Sequence, residues 1–176
     1  YVFVNHLRYY LKTYSPSKSH YLGHAVEHNE RYPYASGGVY MISLKTLNRI
    51  RPILDTPKCP NEIYHFDEDV HFSNCLRTLG IAPKSILDSQ GKETIMLLPL
   101  QYHLNANHSV RKKYAWYFNG LSTTCCSLRP IAFHELKNDY HLFMIHNYLK
   151  HNGKYKAWMA PIKHYIDSLR LPNRVK

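Results

Sequence analysis

The sequence predicts an α/β fold, because two segments with the pattern of β-strands each lead directly into a segment with helical spacing. The strand-like "YVFV" precedes "NHLRYYLKTY", and the strand-like "YPYASGGVYMIS" precedes "LKTLNRI". The chain has 176 residues, of which 44% are apolar. It is therefore long and hydrophobic enough to bury the core of one domain, or of a large part of one.

Two helices are predicted by apolar residues at helical spacing. The first ends before Pro16, and its apolar face consists of Leu7, Tyr10, Leu11 and Tyr14. Ser43 is the expected N-cap of the second helix, "LKTLNRI", which ends before Pro52. The expected buried face of the second helix consists of Leu44, Leu47 and Ile50.

A buried strand is predicted between these helices, where residues 39–43 alternate in hydrophobicity after a pair of glycines. Gly37 and Gly38 have two interpretations. They commonly form a tight turn into a strand, but the absence of side chains also lets a bulky polar ligand approach the backbone. The sequence pattern leaves both open.

A third helix is predicted in "FDEDVHFSNCLRTLGI", with Phe72, Leu76 and Leu79 on one stripe, Cys75 beside it and Gly80 at its end. Three consecutive carboxylates open this helix: Asp67, Glu68 and Asp69. Helix capping is the commoner explanation, with Asp67 as the N-cap and the other two in the first turn. The alternative is chemistry, since a carboxylate kept ionised by N–H groups suits a general base.

The later part of the chain predicts one more strand and one more helix. Ile131 and Phe133 alternate with Ala132 and His134, and "DYHLFMIHNYLKHNG" has helical spacing up to Gly153. A histidine in such a strand, like His134, is more often a structural residue than a metal ligand. We predict one compact unit over residues 1–153 and a basic tail over residues 154–176.

The net charge of +11, from 23 basic and 12 acidic residues, would attract polyanions. The basic residues are scattered along the chain, however, and their densest cluster, "RKK", is brief. We therefore expect a solvated basic surface and no nucleic-acid partner. Trp116 in "YAWYF" has two readings, as a core residue or as an aromatic ring that stacks on a sugar.

The four cysteines, Cys59, Cys75, Cys125 and Cys126, include no CxxC pair, which argues against a zinc site. A bridge between Cys59 and Cys75 would contribute about 3 kcal/mol in the chain-entropy model. Disulfides would assign the protein to a secretory compartment, and the triplet "NHS" at Asn107 is a potential N-glycosylation site that agrees with this.

Five segments taken in order resemble the animal core 1 β1,3-galactosyltransferases, members of the fringe-like β1,3-glycosyltransferase group. The segments are "YASGGVYMIS", "DEDVHFSNCLRTLGI", "DSQGKET", "CCS" followed by "IAFHEL", and "YHLFMIHNYLKHNG". The resemblance covers almost the whole chain. It implies the C-terminal part of a GT-A nucleotide-sugar transferase fold, with the N-terminal nucleotide-binding strands and the metal-binding Asp-x-Asp motif upstream of Tyr1.

The implied reaction moves galactose from UDP-galactose to the 3-hydroxyl of O-linked N-acetylgalactosamine on glycoproteins, with inversion and with Mn²⁺. By the same resemblance, Asp69 is the catalytic base, Glu68 supports the site and His134 is the metal ligand. Gly37 and Gly38 match the loop at the donor sugar.

The resemblance further assigns Trp116 to the acceptor, and it pairs Cys59 with Cys75 and Cys125 with Cys126. It implies a type II protein on the lumenal side of the Golgi membrane, with an N-terminal anchor outside this chain, and is compatible with a homodimer. We expect the chain alone to have little activity. The rival hypothesis is a non-catalytic relative that acts as a chaperone or a lectin-like binding protein.

Overall fold

The computed structural model describes residues 1–28, 31–59, 67–98, 103 and 127–134. Those from Val2 to His134 belong to one compact unit. The helices are α1 (Val4–Leu11), α2 (Leu44–Ile50) and α3 (Glu68–Thr78), and a 3₁₀ turn (Arg51–Ile53) follows α2. The strands are β1 (Tyr21–Gly23), β2 (Ala25–His28), β3 (Arg31–Ala35), β4 (Met41–Ile42), β5 (Lys84–Ser85), β6 (Ile95–Met96) and β7 (Ala132–Phe133).

These strands form three small sheets. In the first, β1 lies between β4, which is antiparallel to it, and β5, which is parallel to it. β2 and β3 form an antiparallel hairpin, and β6 pairs with β7 in parallel. The mixture of helices and sheets is consistent with the predicted α/β class. Within the described part of the chain, no helix has the length and hydropathy needed to cross a bilayer.

The prediction at the start of the chain was half right. Helix α1 is present, but "YVFV" does not form a strand: Val2 makes a single bridge to Ala132, and α1 already begins at Val4. Phe3 is buried and donates its N–H to the carbonyl of Ile131 at 2.8 Å. This bond stands where the predicted strand would have formed a series of interstrand hydrogen bonds. The N-terminus is thus joined to the segment that enters β7.

The expected core face of α2 was right for Ile50 and wrong for the two leucines. Leu44 and Leu47 are 62% and 44% exposed, whereas Thr46 and Ile50 are fully buried. The reason is a polar anchor: the hydroxyl of Thr46 donates to the carbonyl of His20 at 2.9 Å and accepts the N–H of the same residue at 2.9 Å. These bonds turn the threonine inward and rotate both leucines towards solvent.

The other sequence signals around α2 are confirmed in part. Ser43 caps the helix, since its hydroxyl accepts the N–H of Thr46 at 3.2 Å. The strand predicted over residues 39–43 shortens to β4, whose two residues are half-buried.

Helix α3 begins and ends as predicted, with Gly80 at a φ of +68° just beyond it. Its buried residues are Val70, Ser73, Cys75 and Leu76, and Phe72 and Leu79 are half-buried. The predicted disulfide between Cys59 and Cys75 is present, with a Cα–Cα distance of 4.5 Å. It ties the middle of α3 to the segment that follows the 3₁₀ turn.

The strand predicted near residue 132 is confirmed as β7, but its alternation was wrong. Ile131, Ala132 and Phe133 are all buried, as is typical of a parallel strand covered on both faces, and only His134 is exposed. The predicted helix ending at Gly153, the boundary between residues 153 and 154, and Asn107 lie outside the described residues. They stay predictions.

Candidate active site

The acidic residues lie at the N-terminus of α3, but the capping role predicted for Asp67 was wrong. Asp67 occupies the N-cap position and is exposed, and its side chain makes no capping hydrogen bond. Asp69 does this instead, because its Oδ1 accepts the free N–H of Val70 at 2.8 Å. The side chain of Asp69 thus pairs the N–H of the next residue, one of the first four N–H groups of the helix, which have no partner within it.

Asp69 is also bound from outside the helix. Its Oδ2 accepts the backbone N–H of Gly37 at 2.6 Å. Two backbone N–H groups and the positive end of the helix therefore stabilise the negative charge of this half-buried carboxylate. The side chain keeps lone pairs free on both oxygens, since each carboxylate oxygen can accept two hydrogen bonds.

Glu68 is held by a residue that the sequence analysis missed. The phenol of Tyr40 donates to Glu68 Oε1 at 2.7 Å. The pKa of Tyr40 is raised, first by burial and then by the bond to Glu68, so the phenol keeps its proton and remains the donor. The only signal for Tyr40 in the sequence was its position in the strand just after the two glycines.

The Gly37–Gly38 turn fits between these acids and His134. A Cβ on Gly37 would lie 3.3 Å from Glu68 Oε2 and 3.4 Å from Asp69 Oδ2. A Cβ on Gly38 would lie 2.7 Å from Leu97 Cδ2 and 3.2 Å from His134 Cβ. Position 38 therefore requires glycine because there is no space for a Cβ. Neither a tight turn nor close approach of a ligand, the two interpretations of the sequence, predicts this packing.

His134 lies on the other side of this turn. It follows β7, its N–H donates to the carbonyl of Met96 at 2.8 Å, and its ring Nδ1 is 3.2 Å from the carbonyl of Leu97. Because a carbonyl only accepts, Nδ1 is the donor and Nε2 carries the lone pair. Metal-binding histidines are commonly oriented by such a carbonyl.

The structure thus brings together five residues that the resemblance assigns to one site: Glu68, Asp69, Gly37, Gly38 and His134. Asp69 contacts Gly37 and His134 contacts Gly38, and successive Cα atoms are about 3.8 Å apart. The carboxylate and the imidazole therefore lie next to neighbouring residues of the same turn.

A curated protein is similar in sequence to most of this chain. No family model matches the chain. Among curated proteins, the glycoprotein-N-acetylgalactosamine 3-beta-galactosyltransferase 1 of Xenopus laevis is 26% identical over 178 residues, which include 96% of this chain. The chain is therefore similar in sequence to this galactosyltransferase. It spans about half of that protein, 49% of its length.

The galactosyltransferase resemblance found in the motifs is thereby confirmed. Two of the residue assignments that came with it cannot be compared with the fold, because Trp116 and the pair Cys125 and Cys126 lie outside the described residues. The roles of the other residues depend on the geometry given above.

The N-terminal end of α3, which carries the acids, is supported by Tyr21, a buried residue of β1. Its phenol oxygen donates to the carbonyl of Ala35 at 3.3 Å and accepts the N–H of Ala35 and the hydroxyl of Ser73, each at 3.1 Å. Burial raises the pKa of Tyr21 to about 12. Because Ser73 belongs to α3 and Ala35 to β3, one phenol joins the helix that carries the acids to the hairpin that leads into the glycine turn.

The fit of a metal ion is partial. His134 offers one imidazole nitrogen, which is a reasonable ligand for Mn²⁺ together with oxygen donors. Within residues 1–28, 31–59, 67–98, 103 and 127–134, however, no group of three His, Cys, Asp or Glu side chains converges. The described part of the chain therefore does not contain a complete metal site.

A separate groove of about 690 Å³ lies between the end of α1 and the segment before β7, where Tyr9, Asp88 and Arg129 line it. The guanidinium of Arg129 lies over the ring of Tyr9, 4.4 Å from its centroid. Because Arg129 precedes β7 and His134 follows it, the groove and the glycine turn lie at opposite ends of this strand. None of the described site residues (Gly37, Gly38, Glu68, Asp69 and His134) lines the groove.

Proposed function

We propose that this chain belongs to an inverting β1,3-galactosyltransferase that moves galactose from UDP-galactose to the 3-hydroxyl of O-linked N-acetylgalactosamine on glycoproteins. The observation that carries the proposal is Asp69, an acid bound by two backbone N–H groups beside a glycine turn, with His134 on the turn's far side. The likeness to a galactosyltransferase supports the reaction class. We assign the fold to the GT-A type.

Asp69 is the general base of this reaction. In an inverting transfer, the acceptor hydroxyl attacks the anomeric carbon on the face opposite to the departing diphosphate. The new C–O bond forms as the bond to the phosphate oxygen breaks, UDP leaves with that electron pair, and the hydroxyl proton passes to a free lone pair of Asp69. The bonds from Gly37 and Val70 fix the carboxylate for this transfer, and such proton transfer contributes typically about 10²- to 10⁴-fold in rate.

His134 serves the donor side. We assign its Nε2 to Mn²⁺, whose remaining ligands come from outside the described residues, and the ion would neutralise negative charge on the UDP diphosphate. Glu68 supports the acidic end of the site, where the phenol of Tyr40 restrains it. Gly37 and Gly38 let the donor sugar approach the backbone. Trp116 is the proposed aromatic contact of the acceptor.

The test is an assay of galactose transfer from UDP-galactose to a peptide that carries N-acetylgalactosamine, with Mn²⁺ and the full-length protein. We expect Asp69→Asn to abolish transfer, because the amide cannot take up the proton, and to leave UDP binding nearly intact. Asp55→Asn, the same change at an exposed position just after the 3₁₀ turn, is the matched control. Transfer at the wild-type rate by Asp69→Asn would show that another group is the base.

A second measurement addresses the metal. His134→Ala should weaken UDP binding in the presence of Mn²⁺ but leave binding without the ion unchanged, because only a metal-bridged contact is lost. Equal UDP binding by both proteins in Mn²⁺ would exclude His134 as a ligand. Binding of the glycopeptide without any transfer would favour the non-catalytic alternative.

The proposed reaction also determines where the protein acts. We assign it to the lumenal side of the Golgi membrane, as a type II protein held by an N-terminal anchor outside this chain. The disulfide between Cys59 and Cys75 supports a secretory compartment. Its partners would be UDP-galactose and glycoproteins that carry N-acetylgalactosamine, and a homodimer is compatible with this assignment.

A further inference from the structure

A buried histidine–glutamate pair lies beside the segment that leads into the glycine turn. His24 Nδ1 is 2.9 Å from Glu93 Oε1, and the two side chains are only 2% and 8% exposed. Glu93 belongs to "DSQGKET", a segment that the sequence analysis singled out but that has no role in the reaction described above. A buried carboxylate is strongly destabilising unless a partner compensates its charge, so this pair needs an explanation.

One side of the pair leads to the catalytic carboxylate. His24 follows β1, and its backbone carbonyl accepts the N–H of Ser36 at 3.0 Å. Ser36 directly precedes Gly37, whose N–H donates to Asp69 Oδ2 at 2.6 Å. A displacement of His24 therefore moves the donor that fixes Asp69.

The other side of the pair leads to His134. The carbonyl of Glu93 accepts the N–H of Ser127 at 3.0 Å, and the carbonyl of Thr94 accepts the N–H of Ile131 at 2.6 Å. The same segment continues into β6, which pairs with β7 in parallel and ends in the bond from His134 N–H to Met96. Glu93 is thus connected by backbone hydrogen bonds to the strand that presents His134.

We propose that Glu93 is a positioning residue, which acts through His24 to hold the Ser36–Gly37 backbone at a fixed distance from β7. The spacing between Asp69 and His134 across the glycine turn then depends on this buried histidine–glutamate pair. The consequence for transfer rests on the proposed function, whereas the consequence for the turn itself does not. Glu93→Gln is the informative variant, because it keeps the shape of the side chain and removes its charge.

The first readout is hydrogen exchange of the Gly37 amide, followed by NMR in the full-length protein. In the wild type, the bond to Asp69 should protect this amide. We expect Glu93→Gln to accelerate its exchange at least about tenfold, which is the effect of weakening the local structure by about 1.4 kcal/mol. The amides of α3 beyond Val70 should exchange as before, and so should every amide in the control variant Asp55→Asn.

The second readout is the kinetics of galactose transfer. A misplaced catalytic group should lower kcat per folded molecule about 10- to 100-fold. A merely structural role would lower the folded fraction and leave kcat per folded molecule unchanged.

A second variant covers the case in which Glu93→Gln fails to fold. Ser36→Pro removes the N–H that bonds to His24 and leaves the buried pair intact, and the extended conformation of Ala35 tolerates a following proline. It should accelerate Gly37 exchange in the same way. Wild-type exchange at Gly37 in either folded variant overturns the inference. Faster exchange in a protein whose wild type transfers no galactose supports the positioning role and overturns the proposed reaction.

Discussion

Replacement of Gly38 by alanine tests the contact between the glycine turn and His134. The added Cβ would lie 2.7 Å from Leu97 Cδ2, a distance that real Cβ atoms do not adopt, and 3.2 Å from His134 Cβ. Leu97 is only 4% exposed, so its side chain has little room to withdraw. Overpacking of this kind is destabilising by about 1 to 3 kcal/mol.

The neighbouring glycine provides a matched control. In Gly37→Ala the new Cβ would lie 3.3 Å or more from any atom, and those nearest belong to the acidic side chains of Glu68 and Asp69. Alanine also reduces the entropy of the unfolded chain, which stabilises by about 0.4 to 1 kcal/mol where the backbone allows it. We therefore expect Gly37→Ala to be nearly neutral and Gly38→Ala to be destabilised.

Thermal unfolding of the two variants measures the difference. For a chain of this size, each 1 kcal/mol lowers the Tm by about 2 to 4 °C. Because the Cβ at position 38 pushes on His134, Gly38→Ala should also weaken UDP binding in Mn²⁺, and Gly37→Ala should not. Equal melting temperatures for both variants, with equal UDP binding, would refute the packing of the turn described above.

Three further predictions concern the support of α3. The pKa of Tyr21 is about 12 in the folded protein and 10 in the unfolded chain. About 2 to 3 kcal/mol of stability should therefore be lost as pH rises from 10 to 12. Urea unfolding at a series of pH values should show this loss in the wild type and not in Tyr21→Phe. Replacing Cys59 and Cys75 by serine should lower the free energy of unfolding by about 3 kcal/mol, and an equal free energy in wild type and variant would contradict this. Tyr40→Phe removes the donor to Glu68 but keeps the ring. Because Glu68 is exposed, the free energy of unfolding should fall by about 1 kcal/mol or less. A larger loss in urea unfolding would argue against an exposed hydrogen bond between Tyr40 and Glu68.

The helices could be predicted from the sequence, but the choice of buried face could not in every case. In α2, spacing placed Leu44 and Leu47 inside, and the structure places Thr46 there instead. The hydrogen bonds of Thr46 with the backbone of His20 decide this, and they join positions 26 residues apart. Helical periodicity carries no information about a partner so distant in the chain.

The residues of the candidate site could be predicted from the sequence, but the contacts that position them could not. Motif resemblance named Asp69 and His134, but the residues that hold them are buried polar groups with no local signature. Tyr21, His24 and Glu93 each find their partners through the tertiary fold. Capping shows the same limit, since Asp67 and Asp69 are both suitable by type, and only the backbone geometry at the start of α3 selects Asp69.

The hydrogen bonds of Tyr21 restrain α3 relative to the β2–β3 hairpin. A phenol oxygen has one proton to give and two lone pairs, and Ala35 and Ser73 use all three. Sliding of α3 along the hairpin would break these bonds at a buried site, where each donor or acceptor left unpaired costs about 1 to 3 kcal/mol. Glu68 and Asp69 belong to α3, so they can turn towards a ligand by rotation of their side chains while the helix backbone stays in place.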